Sequence, residues 1–383
     1  MLSIFIIVTI SAYAILIGLF IYGFDKVEDF KVQAVSPKTK FSIIIPFRNE
    51  AENLPDLLDS IGQLNYPKDL FEVLLVDDES EDNSVSIIQD FIDTSHFKQN
   101  GNQFNTFSII KNNRKTDSPK KDAISSAIRH SKFDWIITTD ADCILPKNWL
   151  ITFDAFIQKK DTNCIVAPVS YHGSSSFLDR FQTLDFLSLQ GATMGGFGIK
   201  KPFMCNGANF AYRKALFISV HGFEGNNTIA SGDDLFLLEK FIELDSNKVH
   251  YLKSEESIVT TRPASSFKHL IQQRLRWASK TSNYKDWFAK LVGVVVLFGN
   301  LVCLGLIPAV YFNLIGLKIA LVVILIKVIV DFLLLYKSSH IFKQEKLLSS
   351  YLFSAILYPF FSVSIAFLSF FTSYQWKGRK FKK

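Results

Sequence analysis

Residues 135–146 read WIITTDADCILP, an apolar run that ends on two carboxylates one residue apart, Asp140 and Asp142. Like charges this close repel, and a solvated turn is the ordinary reason to find them. Two carboxylates can also hold one Mg2+ or Mn2+, which then bridges the oxygens of a bound diphosphate. Further along, Ser231 and Gly232 precede Asp233 and Asp234, which open an amphipathic helical pattern. One acidic residue satisfies the free N–H groups and the dipole of a helix start. A second is available for other work, such as taking a proton from an attacking hydroxyl. In QQRLRW, Gln273, Arg276 and Trp277 are spaced i, i+3, i+4 and share one helix face. An amide, a guanidinium and an indole together suit a diphosphate beside a sugar ring. Arg forks onto phosphate, and Trp stacks on the apolar face of a pyranose. A basic amphipathic helix lying on a membrane is the competing reading of this segment.

These residues need a scaffold. Apolar strand patterns at 41–46, 71–77, 107–111 and 135–139 alternate with helical patterns at 50–62, 81–92 and 119–130. Continuous apolar strands between helices predict a mostly parallel sheet covered on both faces. Ligands bind such sheets beyond the carboxyl ends of the strands. Arg48-Asn49-Glu50, Asp77-Asp78-Glu79 and the Asp140/Asp142 pair all fall there. The chain has no G-x-G-x-x-G and no G-x-x-x-x-G-K-[ST], so a dinucleotide oxidoreductase and a P-loop nucleotidase are not expected. After Pro168 the alternation stops, and 176–194 reads as a helix.

Of the 383 residues, 48% are hydrophobic and the mean hydropathy is +0.19, with the excess at the two ends. Residues 1–24 carry no charge, enough to cross a bilayer, which takes about 20 residues. An uncleaved anchor is expected rather than a signal peptide, because there is no basic leading region and the run is long. Apolar stretches at about 291–312, 314–336 and 347–371 follow. Lys327 and Asp331, spaced i, i+4 in the second, can neutralise each other. Pro359 in the third suggests a re-entrant or interfacial pair of half-helices. Four cysteines without C-x-x-C spacing give no sign of a zinc site or disulfide framework. The net charge of +6 owes much to the tail 377–383, which suits a membrane surface rather than nucleic acid.

Taken in order, IIIPFRNEAENL, LLVDDESEDNS, SPKKDAISSAI, TTDADC, CNGANFAYRK, SGDDLFLLEK and QQRLRW resemble the membrane-bound family 2 glycosyltransferases. That inverting group has a GT-A fold and includes cellulose, hyaluronan and poly-N-acetylglucosamine synthases and ceramide glucosyltransferase. The resemblance runs from about residue 41 to 277. It implies an α/β, GT-A type domain at 41–285, after an anchor at 1–24 and a linker at 25–40. A membrane region at 286–376 and a basic tail at 377–383 would follow. It implies that Pro46, Arg48 and Glu50 line the nucleotide pocket, and that Asp78, with Asp77 the alternative, meets the base or ribose. Lys120 would lie near the nucleotide, with Lys121 the alternative, since the family's usual G-K pair is Pro119-Lys120 here. Asp140 and Asp142 would hold the diphosphate through Mg2+ or Mn2+. Gly207 and Asn209 would shape the floor of the sugar site. Asp234 would be the general base with Asp233 beside it, and Gln273, Arg276 and Trp277 would close the site.

The implied reaction moves a sugar from a nucleotide donor, a UDP-sugar with a GDP-sugar as alternative, to a lipid or lipid-linked acceptor. Processive polysaccharide synthesis for a cell-surface glycan is the second expectation. A non-catalytic membrane sensor of sugar nucleotides is a third, disfavoured because neither acidic pair is degraded. Because nucleotide sugars are cytosolic, the catalytic domain of this multi-pass protein is expected on the cytosolic face of a bacterial inner membrane. No nucleic-acid partner is expected.

Overall fold

The computed structural model describes the chain except residues 34, 95–97, 100–101, 104–105, 174–175, 228, 230, 281–284, 377–378 and 382–383. Parts of the basic tail, Lys377, Gly378, Lys382 and Lys383, therefore lie outside the described residues. Two compact units emerge. One comprises Glu28–His172 and Cys205–Arg262; the other comprises Met1–Val27, Gly173–Met204 and Pro263–Lys383. Within the expected block at 41–285, Gly173–Met204 and the stretch from Pro263 onward fall in the unit of the apolar helices.

In chain order the elements begin with α1 (Leu2–Lys26), β1 (Phe41–Phe47), α2 (Leu54–Gly62), β2 (Phe71–Asp77) and α3 (Ser84–Thr94). A small hairpin, β3 (Lys98–Gln99) and β4 (Asn102–Gln103), leads to β5 (Phe107–Lys111), α4 (Pro119–His130) and β6 (Trp135–Thr138). Then come β7 (Cys143–Ile144), α5 (Trp149–Lys159), β8 (Cys164–Val166), β9 (Val169–Tyr171) and α6 (Phe177–Gly198). The middle closes with β10 (Phe210–Arg213), α7 (Lys214–Ser219), α8 (Asp233–Asp245), β11 (Val249–Tyr251) and β12 (Val259–Thr261). The remainder is helical, with α9 (Phe267–Ser279), α10 (Trp287–Tyr311), α11 (Leu317–Ile341) and α12 (Tyr351–Phe371), before a hairpin of β13 (Tyr374–Trp376) and β14 (Arg379–Phe381).

Seven strands form the main sheet, in the order β11-β8-β10-β6-β1-β2-β5. The four strands read from the apolar runs, β5, β2, β1 and β6, are parallel neighbours. β10 runs antiparallel between β6 and β8. The sheet is therefore mixed. β1 is buried almost throughout, with Phe41, Ile43, Ile44 and Ile45 fully excluded from solvent, as a strand covered on both faces must be. Register fixes where chemistry can gather. Phe47 pairs with Asp77, Ile44 with Thr138, and Asp77 with Lys111. The residues that follow β1, β2, β5 and β6 consequently emerge at one edge. Antiparallel β10 starts opposite Thr138, so Gly207–Asn209 just before it arrives at the same edge.

In the helical unit, α1, α10, α11 and the segment Glu345–Phe371 are each long and apolar enough to cross a membrane. α1, α10 and α11 meet through a core that includes Tyr13, Phe20, Val302, Leu306, Val323 and Leu334. A Cβ on Gly198 would stand 1.7 Å from the Gly23 carbonyl oxygen, so α6 and α1 meet backbone to backbone. Small residues permit such approach where no hydrophobic drive separates helix from lipid. The Lys327–Asp331 pair forms at 2.6 Å, and Tyr13 on α1 donates to Asp331 at 2.7 Å. The expectation for Pro359 is corrected: α12 is one continuous helix through that residue. Neighbouring helices can re-satisfy the carbonyl that a proline leaves without its N–H, which makes an internal proline tolerable in an apolar bundle.

Candidate active site

Three carboxylates and one ammonium group meet at the sheet edge. β6 delivers Asp140, and a tight turn, in which the Cys143 N–H donates to the Asp140 carbonyl at 3.2 Å, carries Asp142. α4 delivers Lys120 from its first turn. Pro119 is the first residue of that helix, where a missing N–H costs nothing, so the departure from the family's G-K pair is structurally neutral. Lys120 Nζ lies 2.6 Å from Asp140 Oδ1 and 3.3 Å from Asp233 Oδ2. Asp233 and Asp234 open α8 behind Gly232, whose φ of 81° is the left-handed conformation glycine adopts freely.

Asp234 is held from two sides. Its Oδ2 accepts the Gly207 N–H at 3.0 Å, and its Oδ1 accepts the Leu235 N–H at 2.7 Å. Gly207 itself is anchored where Thr138 Oγ1 donates to its carbonyl at 2.7 Å. A Cβ on Gly207 would lie 3.1 Å from Asp233 Oδ2, 3.4 Å from Asp234 Cβ and 3.6 Å from Lys120 Nζ. One position therefore touches every charged group but those of the Asp140/Asp142 turn. Burial alone would lower the Lys120 pKa, but the charges of Asp140 and Asp233, then Asp234, more than offset it and hold the ammonium above its usual range. Burial, then the charges of Asp142 and Asp140, push the Cys143 thiol well up, so it stays protonated beside them.

A second cluster lies where β1, β2 and β5 end. Asp78 is buried and accepts from Asn112 Nδ2 at 2.7 Å and from Arg114 Nε at 2.6 Å. Arg114 also pairs with Glu79 at 2.7 Å, and Arg48 donates to the carbonyls of Asp78 and Glu79. Asp77 caps the turn by accepting the Ser80 N–H at 2.9 Å. Glu50 is buried and accepts from Asn53 Nδ2 at 2.7 Å, while Pro46 sits half-buried in β1. Arg114 and Asn112 were missed in the sequence. The usable signal was the one that singled out Arg48: charge just beyond a strand of this sheet edge.

Several placements separate the alternatives. Lys120 joins the acidic cluster, whereas Lys121 is 1% exposed and donates to the Asn226 and Ile229 carbonyls at 2.8 and 2.7 Å, stapling the loop before α8. Asn209, expected to shape the floor of a sugar site, is buried. Its side chain donates to the Pro168 and Ser257 carbonyls, both at 2.7 Å, and accepts from Trp149 Nε1 at 2.9 Å. An amide with these bonds and no exposure braces the turn at Gly207. Gln273, Arg276 and Trp277 belong to the helical unit, on α9, each half-buried.

The acidic residues suit a divalent cation. Asp140 and Asp142 offer hard oxygen donors, and a single ammonium offsets the Asp140, Asp233 and Asp234 charges. Among the described residues no group of three His, Cys, Asp or Glu forms a complete cage. Two carboxylates completed by phosphate oxygens and water are the usual arrangement for Mg2+.

A mixed sheet with acidic turns gathered at one edge is the layout of a GT-A type glycosyltransferase. The chain matches the family described as Glycosyl transferase family 2 over residues 42–220, and Glycosyl transferase family group 2 over residues 135–374. The second match alone covers more than half of the chain, and the chain belongs to the family 2 glycosyltransferases. It is 25% identical over 151 residues to a poly-beta-1,6-N-acetyl-D-glucosamine synthase of Staphylococcus epidermidis, covering 39% of this chain and 33% of that protein. It is 24% identical over 243 residues to the probable glycosyltransferase YdaM of Bacillus subtilis, covering 62% and 54%. The chain thus spans about a third to a half of the length of these relatives. Its fold is similar to that of a mannosyltransferase from Pyrobaculum calidifontis solved with GDP-Man and Mn2+, with a TM-score of 0.58, 16% identity, and 93% of this chain and 99% of that one covered.

Proposed function

We propose that the protein is an inverting glycosyltransferase that moves a sugar from a nucleoside diphosphate donor to a lipid or lipid-linked acceptor at a membrane. The observation that carries this reading is the convergence of Asp140, Lys120 and Asp233 with an Asp234 carboxylate fixed by the Gly207 amide. An acceptor hydroxyl has a pKa far above 7, so a base must take its proton as it attacks. Asp234 is given that part because the Gly207 and Leu235 N–H groups fix the orientation of its carboxylate beside the acidic cluster. The acceptor oxygen bonds to the anomeric carbon opposite the leaving group, the bond to the phosphate oxygen breaks, and the configuration inverts. The proton ends on Asp234, and the electron pair leaves with the nucleoside diphosphate. Lys120, and Arg276 by its motif, offset the charge that develops there. A Mg2+ or Mn2+ ion held by Asp140 and Asp142 supplies further charge neutralisation at the diphosphate when bound. Asp78, with Arg114 and Asn112 behind it, takes the base or ribose, beside Arg48 and Glu50; Gln273 and Trp277 are assigned to closing the site by their motif.

The donor is assigned as a UDP-sugar, with a GDP-sugar as the alternative suggested by the mannosyltransferase. Polymer synthesis is the second reading, because the chain is similar to a poly-beta-1,6-N-acetyl-D-glucosamine synthase. Purified protein in nanodiscs, given labelled UDP-GlcNAc or GDP-mannose and membrane lipid, tests both. A single-sugar lipid product supports the first reading, a ladder of lengths supports the second, and no metal-dependent transfer with any nucleotide sugar overturns both.

The catalytic unit is assigned to the cytosolic face of a bacterial inner membrane. Chain connectivity supports a topology. α6 and α9 each follow the sheet unit directly in sequence. Just before α12, Ser350 Oγ accepts from Arg180 of α6 at 3.4 Å, and Phe361, Ile365 and Leu368 of α12 pack against Ile271, Leu275 and Ala278 of α9. Both ends of α12 are thus tied to helices that join the catalytic unit. α1, α10 and α11 then cross, while α12 lies along the cytosolic boundary and the basic tail stays inside, in keeping with the positive-inside tendency. A reporter fused after Lys383 should be active in the cytosol; activity only in the periplasm excludes this topology.

A further inference from the structure

We infer that Arg274, which the proposed chemistry does not use, is a positioning residue that sets Gln273 and Trp277 through a buried ion pair with Asp185. The inference rests on the roles just proposed for Gln273 and Trp277. Arg274 and Asp185 have side chains only 6% exposed each, and Arg274 Nε lies 2.7 Å from Asp185 Oδ2. Such a pair stabilises little in itself, because taking two charges out of water costs about what their attraction returns. Its worth lies in the geometry it imposes.

That geometry reaches both neighbours. Arg274 Nη1 donates to Gln273 Oε1. That bond fixes the amide oxygen of Gln273 against the guanidinium and so sets the orientation of the side chain. The guanidinium also lies over the Trp277 ring at 4.2 Å from its centroid, while Phe186 of α6 sits 6.1 Å away. The indole is therefore held by a cation over its ring and an aromatic neighbour from another helix. A guanidinium can do all three tasks at once because its planar fork donates in two directions while it stacks. A lysine at 274 could keep the ion pair but not the simultaneous stack and amide bond.

Asp185 fixes Arg274 from a second helix. α6 also clamps the approach to α9, where Gln182 Nε2 donates to the Ala264 carbonyl at 3.0 Å and the Ala264 N–H donates to Gln182 Oε1 at 2.9 Å. Tyr358 of α12 neighbours Asp185 as well. The motif helix is thus oriented by a relay of side chains rather than by its own apolar face alone.

The experiment is a mutant cycle on transfer in nanodiscs, read as kcat and KM for the donor, with thermal midpoints for every variant. Gln273→Ala/Trp277→Ala is combined with Arg274→Lys, Arg274→Gln and Asp185→Asn. Each of the three is expected to cut kcat/KM at least tenfold in the wild-type background and less than twofold in the Gln273→Ala/Trp277→Ala background, since a positioning residue has nothing left to position. Arg274→Lys is expected to keep the thermal midpoint of the wild type and still lose activity. Equal losses in both backgrounds, or full activity for Arg274→Lys, overturn the inference while leaving the glycosyltransferase reading intact. Full activity of Gln273→Ala/Trp277→Ala itself would instead remove the roles on which the inference rests.

Discussion

Asp140 and Asp233, far apart in sequence, share one cation: Lys120 lies 2.6 Å from the first and 3.3 Å from the second. The turn that ends β6 and the start of α8 are thereby tied into one electrostatic unit. Asp234, the next residue of α8, is fixed separately by the Gly207 amide. The division matters chemically. Asp233 is engaged by the ammonium, whereas the Gly207 and Leu235 amides set the orientation of the Asp234 carboxylate.

Lys120 gives a pH prediction. Its pKa is raised in the folded protein, so the stability it contributes is fully present below the unfolded value of about 10.4 and is lost only as pH rises through the folded value. In metal-free buffer Lys120→Met should lower the thermal midpoint, and the gap to wild type should stay constant from about pH 7 to about pH 10. A gap that closes by pH 9 would contradict the assignment.

Asp142→Ala should weaken donor binding measured calorimetrically in Mn2+ by at least about tenfold, or ~1.4 kcal/mol. Binding measured with a chelator present should change little. Undiminished metal-dependent binding refutes the role given to this carboxylate.

Gly207→Ala should fold, because the nearest obstacle at 3.1 Å is the end of the Asp233 side chain rather than backbone. Displacing Asp233 and crowding Asp234 should cost about tenfold or more in kcat, since misplacement on the order of 1 Å at a reacting group is expensive. Donor KM should move less than kcat. Steady-state kinetics with wild-type activity would show that the acidic pair is not near the reacting atoms.

Arg114→Ala removes the partner of a buried carboxylate. Charged hydrogen bonds of this kind are worth about 1.5–3 kcal/mol, so Asp78 should lose its fixed orientation. The expected result is a higher donor KM with kcat nearly unchanged. A loss confined to kcat would place Arg114 at the chemistry instead.

Much of this layout was legible in the sequence because β1, β2, β5 and β6 are continuous apolar runs ending in charge. β8, β9, β11 and β12 have three residues each, too short for any periodicity to register. β10 follows a motif whose residues suggested ligand contact, yet Asn209 spends its amide on the core. The allegiance of α6 was hidden for a different reason. Its buried Gln182 and Asp185 read as surface residues until their partners at Ala264 and Arg274 are known. Pro359 looked like a break and is none, since a proline's local cost is readily met inside a helical bundle.

The most direct test of the account is Asp234→Asn in the nanodisc assay, with donor binding measured alongside in Mn2+. Transfer is expected to fall by about 10²–10⁴-fold, the usual worth of a positioned base, while donor affinity stays within a few-fold of wild type. Transfer near the wild-type rate would contradict it, because the proton of the acceptor would then be leaving by another route.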